Sequence, residues 1–132
     1  MDTLKINLGN VSLKIVDENN NEKGIFTFNP NDINTANKFF DLLAELDIKK
    51  EEFTKRESEL AEDDIKGKLA LTLEVIDYFE NKIDNIFGSG SSELIFGQTK
   101  SIDMFKDFFE GLMPYYQKAS QNRIDKYTEK YN

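Results

Sequence analysis

Three short constellations in this chain carry residue types able to do chemistry. Asp17, Asn19 and Asn21 are spaced like the first ligands of a calcium loop. Such a loop needs Gly at its sixth position and a bidentate Glu at its twelfth, where this sequence has Glu22 and Phe28. A solvated turn is therefore expected there. Glu62, Asp63 and Asp64 are adjacent carboxylates. Paired acids become catalytic when burial drives their pKa values apart. These three sit in the most polar stretch of the chain, and the preference of a helix N-terminus for acids accounts for them. Gly88-Ser89-Gly90 has the look of a phosphate cradle. The cradle lies between a strand and a helix and leads into Gly-Lys-Ser/Thr, whereas this run follows a helical pattern and reads as a helix terminator. The chain contains no His and no Cys. That removes the commonest general base and metal ligand, and with them thiolate and disulfide chemistry. A non-enzymatic protein with no cofactor and no metal is expected.

Acidic residues outnumber basic ones by 25 to 17, a net charge of −8. Phosphate and anionic lipid both call for a positive surface, so neither nucleic acid nor membrane is expected as a partner. No run approaches the roughly 20 apolar residues of a membrane span. The start, Met1 to Ile6, lacks the pattern of a secretion signal, which points to the cytoplasm. At 39% hydrophobic residues, with 11 Phe and no Trp, the chain can fill one real core.

The elements that position these groups follow from apolar spacing, and they predict an α+β, mainly α fold. A single domain is expected, with a β-hairpin region at 1–28, a helix at 29–47, a charged connection at 48–64 and a helical part at 65–132. Leu4, Ile6 and Leu8 alternate with polar residues, as do Val11, Leu13 and Ile15. A two-residue turn at Gly9-Asn10 would pair the two runs and put all six side chains on one face; one long strand with a bulge at Gly9 is the alternative. A polar turn and the strand Ile25–Phe28 follow. Asn29 is placed to cap a helix with Pro30 in its first turn, and Ile33, Ala36, Phe40, Leu43 and Leu46 form its stripe. Residues 47–64 read as an exposed helix or a mobile connection. A long helix is expected from Asp64 to Phe87, striped by Ile65, Leu69, Leu73, Ile76, Phe79 and Ile83, with Gly67 as a hinge or close crossing. Ile86-Phe87-Gly88 and Ile95-Phe96-Gly97 both place apolar anchors before a glycine stop. Ser101 is placed to cap the next helix, which Pro114 should break or kink, and a basic last helix would run to Tyr131. A bundle of four to five helices results.

Aromatic residues concentrate at Phe105, Phe108, Phe109, Tyr115 and Tyr116. One helix face takes Phe105, Phe109 and Leu112 into the core. Phe108 and Tyr115 then either widen that core face or form an exposed patch for a partner. The tail beside them carries Lys118, Arg123 and Lys126, which could meet the acidic 47–64 region of another copy or of the same chain, or simply be solvated. The candidate partner-binding residues are thus Phe108, Tyr115, Tyr116, Lys118, Arg123, Lys126 and Tyr127.

The start Leu4-Lys5-Ile6-Asn7, then Phe26-Thr27-Phe28 leading into a helix, resembles the tail assembly chaperones of long-tailed phages and prophages of low-GC Gram-positive bacteria. The second half is similar too, through Ile86-Phe87-Gly88-Ser89-Gly90, Ile95-Phe96-Gly97, Phe108-Phe109-Glu110-Gly111-Leu112-Met113-Pro114-Tyr115 and a basic end with Lys118-Ala119 and Arg123-Ile124. Most of the chain outside 47–64 takes part. What the resemblance implies is a self-associating protein made in the host cytoplasm. It would coat the tape-measure protein until tail-tube subunits replace it, and then be absent from the particle. A structural tail or connector subunit and a small prophage regulatory binding protein are the competing readings.

Overall fold

The computed structural model describes residues 1–131, apart from the side chains at 127 and 129–131. Its architecture is α+β, mainly α: a two-stranded antiparallel sheet followed by four helices. Strands β1 (Val11–Val16) and β2 (Glu22–Phe28) pair with Val11 opposite Phe28 and Leu13 opposite Phe26, and a bulge falls between Ile15 and Val16. Period-two alternation turns Val11, Leu13 and Ile15 inward with Phe26 and Phe28. On the outer face the Ser12 and Thr27 hydroxyls hydrogen-bond at 2.8 Å. The turn joining the strands is built on Asp17, whose carboxylate accepts from the Asn19 and Asn21 N–H groups at 2.9 Å. The three calcium-like residues thus satisfy each other in a turn.

The expected hairpin at Gly9-Asn10 does not form. Residues 1–10 carry no sheet pairing, and Leu4, Ile6 and Leu8 remain 85%, 66% and 62% exposed. Two amides fix the chain just before it enters β1: Asn29 Nδ2 donates to the Leu8 carbonyl at 2.6 Å and Asn31 Nδ2 to the Gly9 carbonyl at 3.3 Å.

Helix α1 runs Ile33–Ser58, well past the expected end at 47, so most of the charged connection is exposed helix. Its cap is Asp32, not Asn29: the Asp32 carboxylate accepts from the Asn34 and Thr35 N–H groups at 3.0 and 3.5 Å. The Thr35 side chain and these N–H groups hold the Asp32 carboxyl below its usual value. A lowered folded pKa stabilises the fold above the unfolded value of 3.8, and that gain is lost as the pH falls through the folded value. Asp32→Ala should therefore lower the melting temperature at neutral pH, and the gap to the parent should close below pH 3.8. Melting curves across an acid series check this.

Helix α2 (Ile65–Phe87) starts at Asp64, which accepts from the Gly67 N–H at 2.9 Å. The close approach at Gly67 is by this cap and not by another helix: a Cβ there would strike the capping carboxylate. The short α3 (Ser91–Phe96) is tied back by the Asp84 carboxylate, which accepts from the Ser92 N–H at 2.8 Å. Helix α4 spans Asp103–Tyr131 without interruption and carries Pro114 inside; of the break or kink expected there, the break does not occur. It begins two residues beyond the expected Ser101 cap.

The core is an aromatic cluster. Phe26, Phe28, Phe39, Phe79, Phe96, Phe105, Phe108, Phe109 and Tyr116 are buried in it with Leu42, Ile76, Ile83 and Leu112. On α1 the buried stripe is Ala36, Phe39 and Leu42, rotated from the expected one, which leaves Ile33 and Phe40 exposed. On α2 only the C-terminal half joins the aromatic cluster, through Ile76, Phe79 and Ile83, whereas Ile65, Leu69 and Leu73 face out. The outer parts of α1 and α2 are joined by the bidentate Arg56–Glu74 pair at 2.6 and 3.4 Å. Nearer the core, Tyr78 Oη donates to Glu45 at 2.6 Å. That bond, with burial and the Glu45 charge behind it, pushes the phenol up to about 12.

Candidate protein-binding surface

Two of the expected contact rings are structural. Phe108 is buried against Phe26, Phe39, Phe87, Phe96 and Phe109, with ring centroids 5.4–6.4 Å apart. The Tyr116 ring lies on Phe39 at 4.4 Å, nearly parallel. Neither ring is available as a surface anchor, because the core face of α4 is wider than Phe105, Phe109 and Leu112 alone. Tyr115 is half-buried and meets Phe28 edge-on at 5.7 Å. Lys118 and Lys126 are exposed along α4, and no ion pair joins them to 47–64 among the described residues. The Tyr127 side chain lies outside the described residues.

What the fold does bring together is a groove between the start of α1 and the C-terminal half of α4. Ile33, Ala36 and Phe40 line one wall at steps of three and four; Tyr116, Ser120 and Arg123 line the other at the same steps. The volume between them is about 390 Å³. Ile33 and Phe40 are 57% and 43% exposed, so the rim is apolar and open.

The floor is polar at two points. The Tyr116 hydroxyl is buried and, among the described residues, meets no hydrogen-bond partner; the same holds for Arg123 Nη1. Burial, and then the charge of Asp32, pushes the Tyr116 phenol far up, so it stays protonated and can donate. Both groups are donors, and a buried donor without an acceptor costs free energy. Both atoms are closed off from solvent, so a ligand supplying carbonyl or carboxylate oxygens would recover that cost once the side chains over them shift to admit it. Sequence reasoning placed Tyr116 and Arg123 at the site but missed Ile33 and Phe40. The signal was the width of the α1 arc: Ile33, Ala36, Phe39, Phe40, Leu42, Leu43 and Leu46 are more than one packed face requires.

Among the described residues no group of three or more carboxylates is arranged to hold a metal ion, and no helix is long and apolar enough to cross a membrane. The chain thus forms a small α+β domain with an aromatic core and, between α1 and α4, a groove with apolar walls and two unpaired donors. The chain belongs to DUF6673, a family of unknown function, which matches residues 19–132. No curated protein and no solved structure matches it.

Proposed function

We propose that this chain is a non-enzymatic assembly chaperone of the phage-tail type. It would work in the bacterial host cytoplasm on the apolar helices of a tape-measure protein and on tail-tube subunits. The observation that carries this reading is the α1–α4 groove with its apolar rim and two unpaired donors on the floor. Two helices lying side by side, each contributing residues at steps of three and four, offer ridges and a groove to a third helix. An amphipathic helix would lay its apolar stripe on Ile33 and Phe40. The Tyr116 hydroxyl and the Arg123 guanidinium would donate to its carboxylates or carbonyls. The net charge of −8 keeps such a carrier soluble while its greasy cargo is attached.

Co-expression with the products of neighbouring genes, followed by pulldown, tests this. Capture of a long helical tape-measure protein, with the chain absent from purified particles, is the expected result. Ile33→Asp should abolish capture and leave the fold intact, because an acid is favoured in the first turn of a helix. Tyr116→Phe should weaken capture while leaving the free protein as stable or more so, since it removes an unsatisfied hydroxyl. Capture indifferent to both changes would overturn the groove assignment. Finding the chain in finished particles would replace the chaperone with a structural subunit.

A further inference from the structure

The exposed N-terminal segment and the free edge of the sheet belong to one another. Leu4, Ile6 and Leu8 alternate with polar residues as in a half-buried strand, yet none of the three is covered. Strand β1 pairs on one side only, with β2. Its inward residues Val11, Leu13 and Ile15 are only half-buried. Beside them runs a groove of about 570 Å³, floored by Phe26, Met104, Phe108 and Leu112. An unpaired strand edge over an apolar groove is a template for a further strand.

We infer that residues 4–8 of a second copy occupy this edge, and that two copies exchange these segments reciprocally. The pairing is the one a hairpin would make, with Leu4, Ile6 and Leu8 beside Ile15, Leu13 and Val11, but made between chains. Gly9-Asn10 is the hinge. Gly9 sits at φ 83°, and the Asn29 and Asn31 amides hold the Leu8 and Gly9 carbonyls, so the segment ahead of β1 is tied beside the end of β2 and not folded back on the free edge of β1. Exchange of an identical element costs little, because each contact made between copies replaces one that a closed chain would make within itself.

The chain has no cysteine, so single introduced thiols report the exchange cleanly. Light scattering of the full chain should give twice the 15.3 kDa chain mass, and Ile6→Asp should return it to the single mass with unchanged helical circular dichroism. In the exchanged register Lys5 stands opposite Lys14. Equal amounts of Lys5→Cys and Lys14→Cys chains, mixed, unfolded, refolded and oxidised, should give a reducible covalent dimer. A parent that stays at the single mass would overturn the inference, as would a dimer that survives Ile6→Asp. A disulfide that forms only within one chain carrying both cysteines would overturn it in favour of a closed hairpin. The α1–α4 groove takes no part in the exchange. Ile33→Asp should therefore keep the dimer, and Ile6→Asp should keep capture of a partner helix, so either reading can fail alone.

Discussion

Phe39→Ala is expected to cost about 3–5 kcal/mol of unfolding free energy. Phe39 is fully buried at the centre of the cluster. Its ring contacts Tyr116 at 4.4 Å, Phe40 at 5.3 Å and Phe109 at 5.4 Å, with Phe87 and Phe108 at about 6.5 Å. Truncation removes the transfer free energy of the ring and leaves a void that these stiff neighbours cannot easily fill. It also takes away the parallel partner of Tyr116, a stacking worth roughly 0.5–1.5 kcal/mol beyond area. Urea unfolding followed by circular dichroism measures the loss. A cost under about 1.5 kcal/mol would mean the cluster collapses into the space, as the mildest core substitutions do.

Gly88→Ala should cost about 1–3 kcal/mol through the backbone alone. Gly88 ends α2 at φ 114° and ψ 151°, a conformation in which a Cβ meets its own backbone. Space is not the obstacle, since the nearest atom to an added Cβ is Ser91 Oγ at 4.0 Å. The strain cannot be relaxed cheaply. Gly88 N–H donates to the Asp84 carbonyl at 2.8 Å, and Asp84 in turn holds the Ser92 N–H that anchors α3. The same urea experiment reads this effect. A loss below about 0.5 kcal/mol, the size of an ordinary surface substitution, would show that the α2–α3 turn relaxes to accept the methyl.

The fold class could be read from periodicity, because the long helices and the β1 and β2 strands carry strong patterns. α2 was legible nearly to the residue, since Asp64 and Gly88 bracket a stripe of regular step. Pro114 misled for an instructive reason. Proline inside a helix costs about 3 kcal/mol, which favours a break. The buried residues Phe105, Phe109, Leu112, Tyr116 and Ala119 nevertheless continue at steps of three and four across it. Each large apolar side chain fully buried returns roughly 1.5–3 kcal/mol, so the unbroken stripe outweighs the missing hydrogen bond. The partner of β1 was not legible. Leu4–Leu8 and Ile25–Phe28 both fit its alternation and β1 has two edges, yet only the second segment pairs within the chain, while the side-chain amides of Asn29 and Asn31 hold the Leu8 and Gly9 carbonyls. At the candidate site, Tyr116 and Arg123 were found from residue type. Ile33 and Phe40 were assigned to the core because a stripe alone does not reveal which edge its neighbours cover.

The outer halves of α1 and α2 add nothing to the aromatic cluster, which ends at Leu46 on α1 and begins at Val75 on α2. Leu71 is buried there and Phe53 partly so, beside the solvent-exposed Arg56–Glu74 pair. Exposed ion pairs contribute about 0–1 kcal/mol, so this tip has a far lower opening energy than the body of the bundle. Amide protons of residues 50–58 and 66–72 should trade for deuterium long before those of 76–83 or 105–112. The molecule would then behave as two cooperative units, a slow base and a fast tip that frays and re-zips many times for each global unfolding.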